Sequence, residues 1–210
     1  MGEQSSIARK LHDIKVNPRR WPKGEFIPPR FPRVEELVQL NELEMDLLHF
    51  LATGEPAGNI ANLGHAEGGS AITMAWAIRN KPGEFKIQSV DTFHEGAQWR
   101  RVRRNLVKLG VRDIVELRRG ETRLWGDRFT ARGDKFAGVF VDADHSYDGV
   151  SRDSETWRRL LMVGGWIAFH DTNQEFSHAA LENTIVKDGR FEERKELHTQ
   201  TIRVFRRIEK

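Results

Sequence analysis

Short apolar runs alternate with helical stretches along this chain, and no other feature constrains its fold as strongly. Five runs have the length and composition of strands: 59–63, 85–90, 114–117, 137–141 and 165–169. The segments between them that have helical character are 70–79, 98–109 and 151–162. Strands and helices that alternate at this spacing form βαβ units. We therefore predict an α/β fold, with a doubly wound, mostly parallel sheet that is covered on both faces.

Both ends of the chain depart from this alternation. The last dozen residues of segment 1–33 hold four prolines, which prevent regular helix and predict an extended N-terminal arm. Segment 34–52 carries leucines at helical spacing among acidic residues, which predicts an amphipathic helix. Segments 190–196 and 201–208 have the pattern of two strands joined by a short turn, so we predict an antiparallel hairpin at the sheet edge. Residues 34–210 are assigned to a single domain.

Composition disfavours several classes of protein. The chain has no cysteine, which removes disulfides, thiolate nucleophiles and cysteine-ligated zinc. It has neither a recognisable signal peptide nor a transmembrane segment, so we expect a cytoplasmic protein without a membrane partner. The formal net charge is only +3, and no nucleic-acid-binding signature accompanies the basic run 100–104. We interpret that run as the solvated face of a helix and expect no nucleic-acid partner.

The residues that follow the strands are the most informative, because ligands of a doubly wound sheet bind beyond the carboxyl ends of its strands. The first strand leads into a glycine-rich turn, in which Ser70 is expected to cap the next helix. The second strand ends in Asp91, a carboxylate that can accept hydrogen bonds from both hydroxyls of a ribose. A turn after the third strand can border an adenine. The candidate cofactor-binding residues are Gly64, Glu67, Gly68, Ser70, Asp91, Gly120, Glu121 and Thr122.

Two nucleotide-dependent classes lack their usual motifs here. The first turn does not follow G-x-G-x-x-G, and no Gly-Lys-Ser/Thr follows to form a phosphate-binding loop. An NAD-dependent oxidoreductase also usually carries a Tyr-x-x-x-Lys pair, whereas the one tyrosine, Tyr147, is followed four positions later by Ser151. We therefore retain an oxidoreductase only as the weaker alternative.

The fourth and fifth strands each deliver an acid and an imidazole to one rim of the sheet. The fourth is followed by Asp-Ala-Asp-His-Ser-Tyr over 142–147, and the fifth by His-Asp-Thr over 170–172. Together with Asp153, Trp157 and the pair of glycines before the fifth strand, these motifs resemble class I S-adenosylmethionine-dependent methyltransferases. They are most similar to the small-molecule branch near the macrocin-type and catechol-type O-methyltransferases. The resemblance covers 58–172 and the C-terminal hairpin.

This resemblance implies a Rossmann-like fold, S-adenosylmethionine as cofactor and methyl transfer to a small-molecule acceptor, at a hydroxyl. Such proteins usually carry Glu or Asp two residues before the first glycine of the turn, where this chain has Asn62. An amide supplies no charge to the methionine ammonium, and Glu67 and Asp142 are candidates to compensate. Because of Asn62, a non-catalytic protein that binds the cofactor or a nucleoside stays open as the alternative function.

Methyl transfer to a hydroxyl requires near-attack geometry and removal of a proton. His145 is the first candidate for the general base, followed by Asp142 and His170. In the related metal-dependent O-methyltransferases, a divalent ion is held by residues that correspond to Asp142, His170 and Asp171. A histidine in this set weakens the case for magnesium and leaves manganese, or no metal, open.

The acceptor is expected to meet the N-terminal arm, the first helix and a loop over 172–184. Aromatic side chains that could line an apolar acceptor pocket are Trp21, Phe26, Phe31, Trp99 and Phe176. Exchange of the extended arm between subunits would give a homo-oligomer, although the sequence does not specify the oligomeric state.

Overall fold

A computed structural model describes residues 40–93 and 96–209 of the chain. Its seven strands are β1 (Ile60–Leu63), β2 (Ile87–Asp91), β3 (Val115–Arg119), β4 (Phe136–Val141), β5 (Leu161–Phe169), β6 (Phe191–Glu193) and β7 (Arg203–Arg207). They form one sheet in the order β3-β2-β1-β4-β5-β7-β6. The first five strands in this order are parallel, whereas β7 is antiparallel to both β5 and β6. The predicted mostly parallel sheet with an antiparallel C-terminal hairpin is confirmed.

Six α-helices accompany the strands in the described residues: α1 (Glu42–Thr53), α2 (Gly69–Ile78), α3 (Gly96–Lys108), α4 (Thr122–Arg132), α5 (Tyr147–Trp157) and α6 (Glu175–Thr184). Short 3-10 turns at Arg158–Leu160 and Lys195–Leu197 complete the regular structure. None of the helices in the part of the chain that the structure describes is long and apolar enough to cross a bilayer.

The sheet separates two apolar cores, as expected for helices on both faces. One core joins residues of the first three helices to the sheet, with Leu47, Ile72 and Val102 fully buried. The other core joins the last three helices to the opposite face, through Phe129, Trp157 and Leu181. Every residue of β1 and β4 is buried, which explains why these strands are near-continuous apolar runs in the sequence.

The order of the strands reverses between β1 and β4, and a doubly wound sheet opens a crevice at such a point. Here the chain leaves β1 through Gly64, which has φ +76°. The backbone amide of Gly64 donates a hydrogen bond to the carbonyl oxygen of Val90 near the end of β2. A Cβ on Gly64 would lie 2.1 Å from the carbonyl oxygen of Asp142. Only glycine lets the first turn pass this close to the end of β4.

Two local predictions are wrong, and one helix was missed. The sequence did not reveal helix α4, because this helix buries only two residues, Gly126 and Phe129. A Cβ added at position 126 would lie 2.4 Å from the side chain of Thr156 of α5, so the two helices pack closely there. Part of the predicted loop 172–184 is helix α6, whose buried side consists of small or polar residues plus one leucine. Ser70 does not cap α2, since Gly68 is the N-cap residue and no side chain bonds the free amides there.

The N-terminal boundary is only partly visible. Helix α1 begins at Glu42, where Asn41 and Glu44 form a reciprocal capping box that satisfies two backbone amides. The helix predicted over 34–52 is confirmed from Glu42 onward, and 34–39 lie outside the described residues. The predicted arm over 1–33 also lies outside the described residues, so its extended form stays a prediction.

Candidate active site

A cavity of about 1040 Å³ opens at the carboxyl ends of the five parallel strands. Nine of the residues proposed from the sequence lie in its wall: Gly64, Asp91, Gly120, Glu121, Thr122, Asp142, His145, His170 and Asp171. The fold thus brings the predicted cofactor turns and the predicted acid–imidazole motifs to one space. The sequence led us to expect this meeting, because the carboxyl ends of parallel strands lie at one edge of a sheet.

Four other predicted cofactor residues lie outside the cavity wall. Glu67 points to helix α3 and forms an ion pair with Arg101, with 2.8 Å between the carboxylate and the guanidinium. Gly68 has φ +100° and starts helix α2, while Ser70 is buried in its first turn. Asn62 is fully buried beneath the turn, where it donates to the carbonyl oxygen of Gly64. Of the two residues proposed to compensate for Asn62, only Asp142 lies in the cavity wall.

The carboxylate of Asp91 is fixed by backbone amides. Its Oδ2 accepts from the amide of His65 at 3.1 Å, and its Oδ1 accepts from the amide of Phe93 at 2.8 Å. The amide of Gly120 donates to the backbone carbonyl of the same residue at 2.9 Å. Asp91 thus connects the turns that follow the first three strands, and its carboxylate is held at the cavity wall before any ligand arrives.

The motifs after β4 and β5 form one compact group. The Nε2 atom of His145 lies 3.9 Å from Oδ1 of Asp142 and 3.6 Å from Oδ2 of Asp171. The Nδ1 atom of His170 lies 3.2 Å and 3.5 Å from the same two oxygens. Two imidazoles therefore share two carboxylates at one side of the cavity, as the sequence motifs indicated.

The sequence did not predict that Glu44 of helix α1 belongs to this group. Its carboxylate is 2% exposed, accepts from the hydroxyl of Thr201 and lies 3.5 Å from Nε2 of His170. Burial disfavours the protonated form of His170, but Asp142, Asp171 and Glu44 outweigh that effect and raise its pKa to about 9. Nothing in the sequence near Glu44 marks it, because the helix reaches the site only through tertiary packing.

The geometry of this group fits a divalent cation. One donor atom from each of Asp142, His170 and Asp171 lies within 4.8 Å of the others. Neither ring nitrogen of His170 makes an aligned hydrogen bond, although both are buried. Buried polar atoms without partners are rare, and a metal ligand is one role that accounts for such an atom. Two carboxylates and one imidazole suit manganese better than magnesium.

A second buried carboxyl group borders the other end of the cavity. Asp153 of α5 is 3% exposed and accepts a hydrogen bond from the hydroxyl of Thr122. Burial is the main cause that raises its pKa, to about 6; the Thr122 hydroxyl opposes the shift, while the charge of Asp144 adds to it. The sequence contained Asp153 only as a motif residue and did not predict its place in the cavity wall.

Replacing Asp153 with asparagine should stabilise the protein at neutral pH. Because the raised pKa destabilises the ionised form, wild type should lose up to about 3 kcal/mol of folding free energy as the pH rises from about 4 to about 6. Asparagine escapes this loss and keeps an oxygen for the Thr122 hydroxyl. Urea unfolding should show the variant to be more stable at pH 7.5 and equal to wild type near pH 4.

The exposed Asp148 on the same helix provides the control, and Asp148→Asn should leave the difference from wild type small at both pH values. A stability gain in Asp153→Asn that does not change with pH would contradict the assignment of a raised pKa to this carboxyl.

The aromatic side chains proposed for an acceptor pocket do not meet in the described residues. Trp99 packs edge to face on Phe93, with 4.6 Å between the ring centroids, and Phe176 is 65% exposed. Positions 21, 26 and 31 lie outside the described residues. Neither Trp99 nor Phe176 lines the cavity.

Comparison with known proteins assigns the class to which this fold and site belong. A family model described as a methyltransferase domain matches residues 61–172, which include the first turn and both acid–imidazole motifs. The chain belongs to this methyltransferase family. No curated protein sequence matches the chain.

Solved structures share the fold at low sequence identity. The O-methyltransferase TomG from Streptomyces achromogenes, solved with S-adenosylmethionine, aligns over 100% of this chain and 91% of its own, with a TM-score of 0.69 and 16% identity. An O-methyltransferase from Bacillus cereus, solved with S-adenosylhomocysteine, aligns over 97% of this chain and 91% of its own, with a TM-score of 0.67 and 14% identity. These similarities confirm the predicted Rossmann-like methyltransferase fold.

Proposed function

We propose that this protein transfers a methyl group from S-adenosylmethionine to a hydroxyl of a small molecule. The observation that carries the proposal is the shared cavity: the carboxylate of Asp91 lies in the same wall as the acid–imidazole group of Asp142, His145, His170 and Asp171. One end offers recognition of a nucleoside and the other offers proton transfer. Methylation of a hydroxyl requires both functions: the cofactor must be held beside the acceptor, and the acceptor must lose its proton.

The residues present fit the cofactor. A cavity of about 1040 Å³ is large enough for a nucleoside with an amino-acid side arm and an acceptor beside it. We assign Asp91 to the ribose hydroxyls and the turn from Gly120 to Thr122 to the adenine edge. The cofactor supplies an electrophilic methyl group on a positively charged sulfur. The solved relatives with S-adenosylmethionine or S-adenosylhomocysteine support this choice of ligand.

We assign removal of the acceptor proton to His145. Its Nε2 lies within 4 Å of the carboxylates of Asp142 and Asp171, and the ring lines the same cavity wall as they do. Its side chain is 36% exposed, so the ring can reach a ligand in the cavity and later return the proton to solvent.

We further assign Asp142, Nδ1 of His170 and Asp171 to a divalent cation, whose binding must displace the proton that the raised pKa of His170 keeps on the ring at neutral pH. Such a cation supplies a positive charge that orients an acceptor oxygen and favours loss of its proton. Glu44 faces the other ring nitrogen of His170, the position that a carboxylate commonly occupies behind a metal-bound histidine.

Replacing Asp91 with alanine should weaken the binding of S-adenosylhomocysteine by roughly 1.5–3 kcal/mol, the usual value of hydrogen bonds to a charged group. The variant removes the acceptor assigned to the ribose and also frees the amides of His65 and Phe93. Isothermal titration calorimetry measures the loss. Asp113→Ala is the matched control, because Asp113 is exposed and precedes β3 at the opposite edge of the sheet.

Unchanged affinity in Asp91→Ala would remove Asp91 from the cofactor site. If wild type binds neither S-adenosylmethionine nor S-adenosylhomocysteine at millimolar concentration, the proposed function is wrong as a whole.

The alternative of a non-catalytic binding protein depended on Asn62. The side chain of Asn62 is fully buried and does not line the cavity, so its lack of charge gives no reason to infer loss of turnover. A cytoplasmic location, self-association through 1–33 and the absence of a nucleic-acid partner stay predictions from the sequence.

A further inference from the structure

The buried carboxyl of Asp153 has one oxygen engaged and one oxygen free. Asp153 is 3% exposed and lies in the cavity wall. Its Oδ1 accepts a hydrogen bond from the hydroxyl of Thr122. Its Oδ2 bonds none of the described residues, and it retains accessible surface, unlike the polar atoms that the fold encloses completely. The free oxygen can therefore be reached from the ligand space.

Two closely packed helices hold this carboxyl in place. Thr122 begins α4, and one turn later Gly126 lies against α5, where an added Cβ would come within 2.4 Å of the side chain of Thr156. Thr156 lies one turn after Asp153 on α5. Thr122 and Asp153 thus meet across a tight helix interface, and the fold determines where the free oxygen lies.

An ionised group at this place is unfavourable for folding. Burial is the main cause that raises the pKa of Asp153 to about 6, so at neutral pH the carboxyl is ionised in surroundings that penalise its charge. Asparagine would fill the same space without this penalty. Groups that reduce stability in this way are concentrated at functional sites.

The wall of the cavity places the parts of a bound nucleoside in a definite order. The backbone carbonyl oxygen of Asp91 accepts from the amide of Gly120 at 2.9 Å, and two residues further on Thr122 bonds to Asp153. With the ribose at Asp91 and the adenine at the turn from Gly120 to Thr122, the edge of the base that is remote from the ribose lies towards Asp153.

The chemistry of that edge matches a carboxylate. It carries the exocyclic N6 amino group, which holds the only N–H donors of this base. An ionised carboxylate is purely an acceptor, and hydrogen bonds to ionised acceptors are the strong ones. Glu121 and Asp144 also line the cavity, but both are exposed, so water competes for their oxygens.

We propose that the free oxygen of Asp153 accepts a hydrogen bond from the N6 amino group of the bound cofactor, and that this contact selects adenine over a base with an oxygen at the same position. The inference rests on the proposed function and deepens its account of cofactor binding. It gives a specificity-determining role to a helix residue that the sequence did not place in the site.

Discrimination between two ligands tests the contact. S-inosylhomocysteine carries a carbonyl oxygen where S-adenosylhomocysteine carries the N6 amino group. In the wild type this oxygen would face Oδ2 of Asp153, and two acceptors repel each other. Isothermal titration calorimetry should therefore show S-inosylhomocysteine to bind about tenfold or more weakly. Equal affinities would overturn the inference.

Asp153→Asn should shift the preference towards S-inosylhomocysteine. The Thr122 hydroxyl donates to the remaining oxygen, which leaves the amide nitrogen, a donor, at the place of Oδ2. That nitrogen opposes the N6 amino group but can donate to the inosine oxygen. The ratio of the two dissociation constants should change by about tenfold or more from that of the wild type.

This ratio separates specificity from a structural role. If Asp153 served only to hold Thr122, its replacement would change both affinities alike, and a ratio equal to that of the wild type would overturn the inference. Asp153→Asn is expected to be more stable than the wild type at neutral pH, so unfolding does not account for weaker binding of S-adenosylhomocysteine. Asp148→Asn, on an exposed position of the same helix, is the matched control and should keep the wild-type ratio.

Two further outcomes distinguish this inference from the proposed function. If Glu121→Gln changes the ratio and Asp153→Asn does not, Glu121 binds the amino group, so the inference is wrong while the proposed function stands. A wild type that binds neither S-adenosylhomocysteine nor S-adenosylmethionine would remove both.

Discussion

Turnover should fall about 10²–10⁴-fold when His145 is replaced with alanine, with little change in cofactor affinity. The imidazole is the group assigned to take the acceptor proton, and its Nε2 lies within 4 Å of the carboxylates of Asp142 and Asp171. Removing the ring leaves these carboxylates and the Asp91 end of the cavity in place. Single-turnover kinetics measures the rate, and calorimetry with S-adenosylhomocysteine measures the binding.

Imidazole added to the solution should restore part of the activity of His145→Ala, because a small base can enter the space left by the side chain. His178→Ala is the control, since His178 lies on α6 with its side chain 57% exposed. A variant with wild-type turnover would show that His145 is not the base, and a loss that imidazole does not rescue together with weaker cofactor binding would indicate a structural role.

Treatment with a chelator should abolish turnover while S-adenosylhomocysteine still binds, and added Mn²⁺ should restore the activity. The carboxylates and imidazole that hold the cation converge within 4.8 Å of one another, whereas Asp91 lies on a different strand and needs no metal. Electron paramagnetic resonance of free and bound Mn²⁺ gives the metal affinity directly, without an assay of activity.

Asp171→Asn should reproduce the effect of the chelator. Asp171 has φ +53°, a left-handed conformation that asparagine tolerates well, so this variant removes a charge without adding backbone strain. Loss of a residue that only supports a metal ligand lowers metal affinity about 10–100-fold. Because Asp171 is assigned as a ligand itself, Asp171→Asn should lower Mn²⁺ affinity by more than that.

Asp127→Asn serves as the control for Asp171→Asn, because Asp127 is exposed on α4. Full turnover in the chelated enzyme would contradict the metal assignment and leave His145 as the main source of catalysis. If both the chelated enzyme and His145→Ala kept full activity, catalysis would depend on positioning alone, as suits an acceptor that is already deprotonated.

The sheet could be predicted because its signals are local. Buried parallel strands are continuous apolar runs, and β1 and β4, with every residue buried, were found for this reason. Helix α4 was missed because it buries only Gly126 and Phe129, and α6 because small or polar residues make up most of its buried side, so the apolar period of each helix is weak. Helix boundaries depend on the capping residue and not on the apolar pattern. Helix α2, for example, begins after Gly68, its N-cap residue.

The residues of the site also differ in whether the sequence could place them. Asp91, Asp142, His145, His170 and Asp171 each directly follow a strand or lie near its end, and a parallel sheet brings such residues to one edge, so their place could be inferred. Glu44 and Asp153 could not be inferred, since Glu44 reaches His170, and Asp153 reaches the cavity wall, from helices whose packing depends on distant residues.

The sequence by itself determined the class of fold, the edge of the sheet that carries the site and the acids and imidazoles that gather there, because strand order along the chain dictates which ends meet. Only the tertiary structure decided what Asn62 contacts. From the sequence, Asn62 was a missing charge facing the cofactor; in the fold it is a buried amide bonded to Gly64 and Ser89. Hydrogen-bond partners from different strands depend on register and burial, which no local pattern specifies.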